Sequence, residues 1–183
     1  AYNDEERLVL AHYISPYYND PDGIINAWAT QFSGSTGETG SRQLLVNLTQ
    51  FIRSHMQYLP RFEEGVQTPH RTLELRSGTC RDFATLMIEA ARHLGYAARF
   101  VSGYLYTPWL DDGSLPVATT GTTHAWVQVY LPGAGWIPFD PTNSRIDRTD
   151  LIRVGVARHA SLASPVSGSW VGFPGDFLGM SVD

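Results

Sequence analysis

The stretch Arg76-Ser77-Gly78-Thr79-Cys80-Arg81-Asp82-Phe83-Ala84-Thr85-Leu86-Met87 decides how this chain of 183 residues is organised. It holds the one cysteine of the sequence, where a glycine-containing turn runs into an amphipathic helix. Thr79 is placed to be the N-cap, with Asp82 three residues later as the acidic member of a capping box. Cys80 is then expected at the first helical position, beneath unpaired backbone N–H groups and the positive end of the helix dipole. A thiol there is biased toward the thiolate, the form that attacks carbonyl groups.

The bulk composition is that of a globular domain. Hydrophobic residues make up 43% and charged residues 17% of the chain, which allows a sizeable core. The net charge of −5 argues against a nucleic-acid partner or an anionic membrane surface. One cysteine excludes an internal disulfide framework and a multi-cysteine zinc site. No apolar run approaches the ~18 to 20 residues of a membrane helix, and no signal peptide opens the chain. Because a leader can be missing from a fragment, its absence is not counted as evidence, and a cytoplasmic location stands only as an expectation.

Helical periodicity dominates the first half of the chain. In the first helix Leu8, Val9, His12 and Tyr13 share one face, and Asn3 is its candidate cap. The pattern predicts five helices, over residues 3–14, Pro21–Phe32, Ser41–Tyr58, Thr68–Leu75 and from Cys80 to about Leu94.

After Gly95 the hydrophobic period changes from 3.6 to 2, as is typical of strands. The strands are predicted at Ala97–Tyr106, His124–Leu131, Trp136–Asp140 and near Leu151–Ala157. Thr107–Thr122 is rich in turn residues and predicts a long loop, and loops of that length are often functional. Helices first and strands afterwards predict an α+β fold with an antiparallel sheet.

In the hairpin formed by the second and third predicted strands, the alternation of apolar and polar residues indicates which side chains share a face. Val127 and Val129 on one strand, and Ile137 on the other, must face the same core, so odd positions should oppose odd positions. His124 and Asp140 then share one face of neighbouring strands, because side-chain direction alternates with a period of two residues. The hydrophobic pattern alone therefore predicts an imidazole and a carboxylate on one surface.

A nucleophilic cysteine needs both of those groups. The His124 imidazole would take the thiol proton and later return it to a leaving group, and the Asp140 carboxylate would fix the imidazole tautomer. The backbone N–H of Cys80 at the helix start is a natural oxyanion donor, and removing such a donor costs on the order of 3 kcal/mol.

Four ordered blocks of the sequence resemble the motifs of the bacterial transglutaminase-like family, whose members are often described as candidate cysteine proteases. The blocks are Gly78–Ala84, Leu94–Tyr104, His124–Gly133 and Gly135–Asn143. Together with weaker support on either side, the resemblance covers roughly residues 41–165. The order and spacing of the four blocks make it specific, whereas any single block would be weak.

The resemblance implies a papain-like or transglutaminase-like α+β core, with N-terminal helices packed on an antiparallel sheet. By position it implies Cys80 as nucleophile, His124 as general base and acid, and Asp140 as the orienting carboxylate. Tyr58 stands where such proteins often have an aromatic residue before the loop to the nucleophile, and it is a candidate to line the cleft or donate to the oxyanion. Gln128 departs from the glutamate common in the family, and we interpret that position as structural.

We expect a single domain over residues 1–183, with its core at about 41–165 and a helical extension at 1–40. The chain begins at Ala1, and Met180–Asp183 resembles the opening of a strand, so we interpret it as a fragment of a longer protein.

Several residues also have a structural explanation. Asp82 is expected to cap the helix rather than act as a catalytic acid, and Arg81 to lie on the surface or form a salt bridge. Trp126 is a candidate aromatic of the cleft, although packing on the sheet explains it equally well. The remaining histidines share no metal-binding spacing, so we expect no metal and no cofactor.

Two classes of function remain open from the sequence. The first is a thiol enzyme that acts on an amide of a peptide or protein through an acyl-enzyme thioester. Water as acceptor makes it a protease or amidase, which we favour because no calcium site or amine pocket is readable, and an amine makes it a transglutaminase. The second is a non-enzymatic module for peptide binding or structure. The sequence does not decide the oligomeric state.

Overall fold

The computed structural model describes residues 1–33, 40–61, 63–105, 123–146, 150–163 and 171–173. All five predicted helices are present. They are α1 (Asp4–Ile14), α2 (Ile24–Thr30), α3 (Ser41–His55), α4 (Pro69–Leu75) and α5 (Cys80–His93). The third helix ends three residues earlier than predicted, because the chain becomes extended at Met56 and enters a strand.

The strands form one main sheet and one short pair. They are β1 (Gln57–Tyr58), β2 (Ser77–Gly78), β3 (Ala98–Leu105), β4 (Thr123–Leu131), β5 (Gly135–Asp140), β6 (Arg145–Ile146) and β7 (Leu151–Ala157). The main sheet is antiparallel throughout, in the order β6-β5-β4-β3-β7. This arrangement confirms the predicted α+β fold. The loop predicted at Thr107–Thr122 lies entirely outside the described residues.

Helix α5 packs on strands β3 and β4 of the main sheet and forms the centre of the core. Its buried apolar face includes Phe83, Leu86 and Met87, each at most 2% exposed, as the spacing predicted. This face meets the odd-numbered residues of β4, such as Val127 and Val129, in one hydrophobic cluster. Burial of each such side chain contributes about 1.5 to 3 kcal/mol, which fixes the start of α5 relative to the sheet.

The buried face of α1 is not the face that the sequence pattern predicted. The Asn3 capping box is present, but Leu8 and Val9 are 80% and 70% exposed, and Leu10 is the buried residue. The helix is held instead by polar and aromatic contacts, among them the Tyr2 hydroxyl, which donates to the Tyr130 carbonyl at 2.8 Å. A helix with so weak an apolar stripe is oriented by such contacts rather than by its hydrophobic spacing.

A buried ion pair lies near the C-terminal end of α5. Arg92 donates to Glu89 at 2.8 Å, and both side chains are 1% exposed. The Glu89 carboxylate also accepts the backbone N–H groups of Tyr17 and Tyr18, at 2.9 and 3.0 Å. The Arg92 guanidinium donates to the carbonyls of three distant segments, those of Tyr13, Ala98 and Arg158. The pair therefore joins the N-terminal segment to the sheet.

None of the helices in the described ranges is both long enough and apolar enough to cross a membrane.

Candidate active site

The turn before α5 is shaped by a two-residue parallel pairing. Gln57 N–H donates to the Arg76 carbonyl at 2.8 Å, and Leu59 N–H donates to the Gly78 carbonyl at 3.0 Å. A side chain at Gly78 has no room, because its Cβ would lie 2.8 Å from the Asp82 Cβ. The glycine thus lets β2 approach the first turn of the helix closely, which brings Tyr58 of β1 beside it.

Asp82 fixes this turn from within. Its side chain is 0% exposed and accepts hydrogen bonds from the Thr79 N–H and the Gln67 N–H, at 2.9 and 2.8 Å. The Arg61 guanidinium donates to it at 3.1 Å. Burial alone would raise the pKa of Asp82, but these backbone hydrogen bonds and Arg61 hold it below its usual value. The predicted capping role of Asp82 is confirmed.

Cys80 is the first residue of α5 and is partly buried. Within the part of the chain that the structure describes, no hydrogen bond uses its backbone N–H. The group lies at the positive end of the helix dipole, so it can donate to an anion that forms beside the thiol.

His124 and Asp140 come together at the start of β4 and the end of β5. The register pairs Val127 with Phe139 and Val129 with Ile137, odd with odd, which confirms the predicted alternation. His124 Nε2 lies 2.8 Å from Asp140 Oδ2, and the two side chains are 8% and 0% exposed.

Asp140 is held in place by the turn that follows it. Asp140 Oδ1 accepts the backbone N–H groups of Thr142 and Asn143, at 3.0 and 3.2 Å. The Asn143 side-chain amide donates to Oδ2, the oxygen that also binds His124, at 2.9 Å. Burial raises the pKa of Asp140, but hydrogen bonds from His124 and Asn143 outweigh it and lower that pKa below its usual value.

Cys80 and His124 line one cleft of about 610 Å³. Burial is the largest influence on the His124 pKa and lowers it. The Asp140 carboxylate, to which the ring is hydrogen bonded, and the neighbouring Cys80 side chain outweigh that effect and raise the pKa from 6.5 to about 9. The arrangement therefore favours an imidazolium at neutral pH, with Nε2 directed to Asp140.

The two aromatic candidates lie at different depths. Tyr58 lines the cleft and is 50% exposed. Burial and the neighbouring Cys80 raise its pKa, so its hydroxyl remains a donor. Trp126 is 1% exposed and its ring lies 6.1 Å from the His124 ring, beneath the imidazole rather than on the surface of the cleft.

Gln128 and Arg81 make contacts that the sequence only partly indicated. Gln128 Oε1 accepts two hydrogen bonds from Arg99, at 3.0 and 2.8 Å, and the Arg99 guanidinium lies 4.1 Å from the centre of the Trp136 ring. Arg81 was expected on the surface or in a salt bridge; it is partly buried, and its guanidinium donates to the backbone carbonyls of residues 61 and 63.

The sequence reasoning missed two residues of this region. Asn143 follows Asp140 by three positions, and an Asp that starts a turn is a signal that could have indicated it. His159 also lines the cleft; its ring stacks on Tyr17 at 4.1 Å between centroids and is hydrogen bonded to the Tyr18 hydroxyl at 2.8 Å. No sequence pattern links these distant residues.

The described residues contain no group of three or more His, Cys, Asp or Glu side chains that could hold a metal ion.

Relatives exist among bacterial proteins. The chain is 31% identical to an uncharacterised protein of Mycobacterium leprae over 131 residues, which are 72% of this chain and 46% of that one. It is 35% identical over 69 residues to a protein of Pseudomonas aeruginosa named protein-glutamine gamma-glutamyltransferase, covering 38% of this chain and 10% of that protein.

Solved structures share the fold. A protein of Cytophaga hutchinsonii described as a candidate cysteine protease superposes with a TM-score of 0.68 at 22% identity, over 85% of this chain and 49% of that one. The periplasmic domain of TgpA from Pseudomonas aeruginosa superposes with a TM-score of 0.54 at 22% identity, over 79% of this chain and 49% of that domain. The chain thus spans about half the length of the M. leprae and C. hutchinsonii proteins.

A family description covers more than half of the chain. Residues 26–141 match the model of the transglutaminase-like superfamily, a range that holds all of α3 to β5 and the cleft residues Cys80 and His124. The chain therefore belongs to the transglutaminase-like superfamily.

Proposed function

We propose that this chain is a thiol-dependent hydrolase or acyltransferase that acts on an amide through an acyl-enzyme thioester. The observation that carries the proposal is the 2.8 Å hydrogen bond between His124 and Asp140 beside the cleft that His124 shares with Cys80. A nucleophile, a proton carrier and an orienting carboxylate are the groups that such a reaction needs.

In the first half-reaction the Cys80 thiolate attacks the amide carbon, and the carbonyl oxygen becomes an oxyanion. The Cys80 N–H, which has no other described acceptor, would donate to that oxyanion, and the Tyr58 hydroxyl is a second candidate donor. The His124 imidazolium then gives its proton to the nitrogen as the C–N bond breaks. An amine or ammonia leaves, and the acyl group stays on sulfur as a thioester.

In the second half-reaction an acceptor attacks the thioester carbon. Neutral His124 takes a proton from the acceptor, and the C–S bond breaks to return the thiolate. Asp140 keeps Nε2 engaged in both steps, so the ring presents its other nitrogen, Nδ1, to the reacting groups. Water as acceptor completes a hydrolysis, and we place it first because it enters any cleft open to solvent.

A primary amine is the second candidate acceptor. The Pseudomonas aeruginosa relative named protein-glutamine gamma-glutamyltransferase favours it, because an amine acceptor and a glutamine donor would use the same first half-reaction. The acceptor therefore decides between hydrolysis and transfer to an amine. The side chains that act in the first half-reaction are the same for both.

The test is turnover of a panel of glutamine-containing peptides, with and without a primary amine. Ammonia release, peptide cleavage and amine incorporation are followed separately by mass spectrometry. We expect product with the unmodified chain, none with Cys80→Ala, and a mass increase of intact protein equal to one acyl group when the reaction is quenched in acid.

The control is His12→Ala, because His12 is an exposed histidine of α1 away from the cleft. It should leave both turnover and alkylation of Cys80 by iodoacetamide unchanged, whereas His124→Ala should slow both. A Cys80 that alkylates at the same rate with and without His124 across pH would contradict the proposal and favour the non-enzymatic module.

A further inference from the structure

Arg81 is a cation on the wall of the cleft, immediately after Cys80. Both residues line the cleft, and Arg81 is only partly buried. Its charge acts on Tyr58, which also lines the cleft. Burial is the main influence on the pKa of Tyr58 and raises it, whereas the positive charge of Arg81 pulls it down. The guanidinium thus acts on the space in which a substrate would lie.

The described contacts of Arg81 leave its charge without a counterion. Its Nη2 donates to the backbone carbonyls of Arg61, at 3.3 Å, and of Glu63. Its Nε is buried and has no hydrogen-bond partner. The neighbouring guanidinium of Arg61, by contrast, is paired with the Asp82 carboxylate at 3.1 Å. Glu64 also lines the cleft, but no ion pair in the described ranges joins it to Arg81.

This position is unfavourable for an unpaired cation. The first turn of α5 is the positive end of the helix dipole, which repels a positive side chain and attracts an anion. A guanidinium bound only to neutral carbonyls keeps its full charge and still has donors to offer to a carboxylate. An anion bound in the cleft would therefore offset the unfavourable electrostatic energy of the Arg81 cation at the positive end of the helix dipole.

From these observations we propose that Arg81 is the anion-recognition residue of the cleft, and that it binds a carboxylate on the acyl donor next to the reacting amide. The proposal rests on the proposed function, because it takes Cys80 as the nucleophile. It names the substrate class as an acidic peptide or acyl donor. The alternative is that Arg81 only holds the segment at residues 61–63 in place.

The experiment compares two alkylating agents of similar size that differ in charge. Iodoacetate carries a carboxylate and iodoacetamide does not, and both transfer their carbon to the Cys80 sulfur with loss of iodide. The ratio of their second-order rate constants cancels any change in the reactivity of the thiol itself. It reports how strongly the cleft prefers an anion beside that thiol.

Arg81→Gln should lower the ratio of iodoacetate to iodoacetamide rates by about threefold to tenfold, the scale of one cation a few ångströms from an anion in partly screened surroundings. Arg81→Lys keeps the charge and should retain most of the ratio, although it loses the fork that binds the carbonyls. The matched control is Arg71→Gln, because Arg71 is an exposed arginine of α4 that pairs with Glu74. It should leave the ratio unchanged.

Salt gives a second readout that a merely structural arginine would not move. The ratio for the unmodified chain should fall as ionic strength rises, and the ratio for Arg81→Gln should change much less. A ratio that is the same in Arg81→Gln and the unmodified chain, while iodoacetamide still reacts, would overturn the inference and leave the proposed function standing. A Cys80 that reacts with neither reagent would overturn both.

Discussion

Two buried aspartates of this chain have nearly the same surroundings and different consequences. Asp82 and Asp140 are both 0% exposed, and each accepts two backbone N–H groups and at least one side-chain donor. In both, burial raises the pKa and the hydrogen bonds lower it further than burial raises it. The two carboxylates therefore remain ionised at neutral pH.

The difference lies in the cation that each carboxylate holds. Asp82 binds Arg61, whose charge does not change in the accessible pH range, so the pair fixes a turn. Asp140 binds His124, whose imidazole can gain and lose a proton within the accessible pH range, with its pKa raised to about 9. Burial and hydrogen bonding alone thus do not distinguish a structural carboxylate from a candidate catalytic one. The partner does.

Asp140→Asn should show the largest effect, and it should fall on activity. The amide cannot stabilise the imidazolium and can favour the wrong tautomer, so we expect turnover to fall by about 10³-fold. The loss is measured as kcat/KM on the best peptide of the panel, beside the free energy of unfolding in urea. Equal turnover in Asp140→Asn and the unmodified chain would remove the orienting role from Asp140.

Asp82→Asn should lower stability more than turnover, the opposite of Asp140→Asn. It leaves Arg61 and several N–H groups without their acceptor, and we expect the free energy of unfolding to fall by about 3 kcal/mol. Turnover per folded molecule should fall by less than about tenfold, because the reacting groups keep their own partners. Urea unfolding and active-site titration on one preparation give both quantities. If this variant lost as much turnover as Asp140→Asn while still folded, the contrast between the two carboxylates would fail.

The pH dependence of stability should separate the two sites next. Because the pKa of His124 is raised to about 9, its contribution is complete below pH 6.5 and is lost as the pH rises from there through 9. The pKa values of Asp82 and Asp140 are lowered, so their contributions are present above pH 3.8 and are lost as the pH falls below it. In a plot of unfolding free energy against pH, Asp140→Asn should therefore reduce the slope above pH 6.5. Asp82→Asn should reduce only the slope on the acid side. Unfolding free energies at pH 3, 5, 7 and 9 test this.

Gln128→Glu should have the smallest effect. It restores the residue common in the family and turns the contact with Arg99 into a charged one. The gain in attraction is offset by the cost of burying the carboxylate, so we expect unfolding to change by less than about 1 kcal/mol and turnover to stay within about twofold. A large change in turnover would mean that this position acts on the candidate site rather than on packing.

Much of the fold could be predicted because its pattern is local. The helix at Cys80 has a cap and a full apolar face, and the hairpin at His124 alternates strictly, so both were found together with their register. The orientation of α1 was wrong because its exposed Leu8 and Val9 outnumber the buried Leu10. That helix is placed by contacts between distant residues, which leave no periodicity in the sequence.

The candidate site was partly predictable for the same reason. His124 and Asp140 were placed on one face by alternation, since both lie in strands that pair with each other. His159 comes from a separate segment and reaches the cleft by stacking on Tyr17, so its sequence neighbours carry no signal. Arg81 looked like an ordinary surface charge, because its carbonyl acceptors lie some twenty residues away along the chain.

The buried pair of Glu89 and Arg92 has a consequence for where this domain can be divided. The match to the superfamily begins at residue 26, yet three of the backbone groups that bind this pair come from Tyr13, Tyr17 and Tyr18. Cutting the chain at that boundary would remove two backbone donors from the buried Glu89 carboxylate and one carbonyl acceptor from the Arg92 guanidinium. A chain shortened to the matched range would therefore lose contacts that hold the helix on which Cys80 lies.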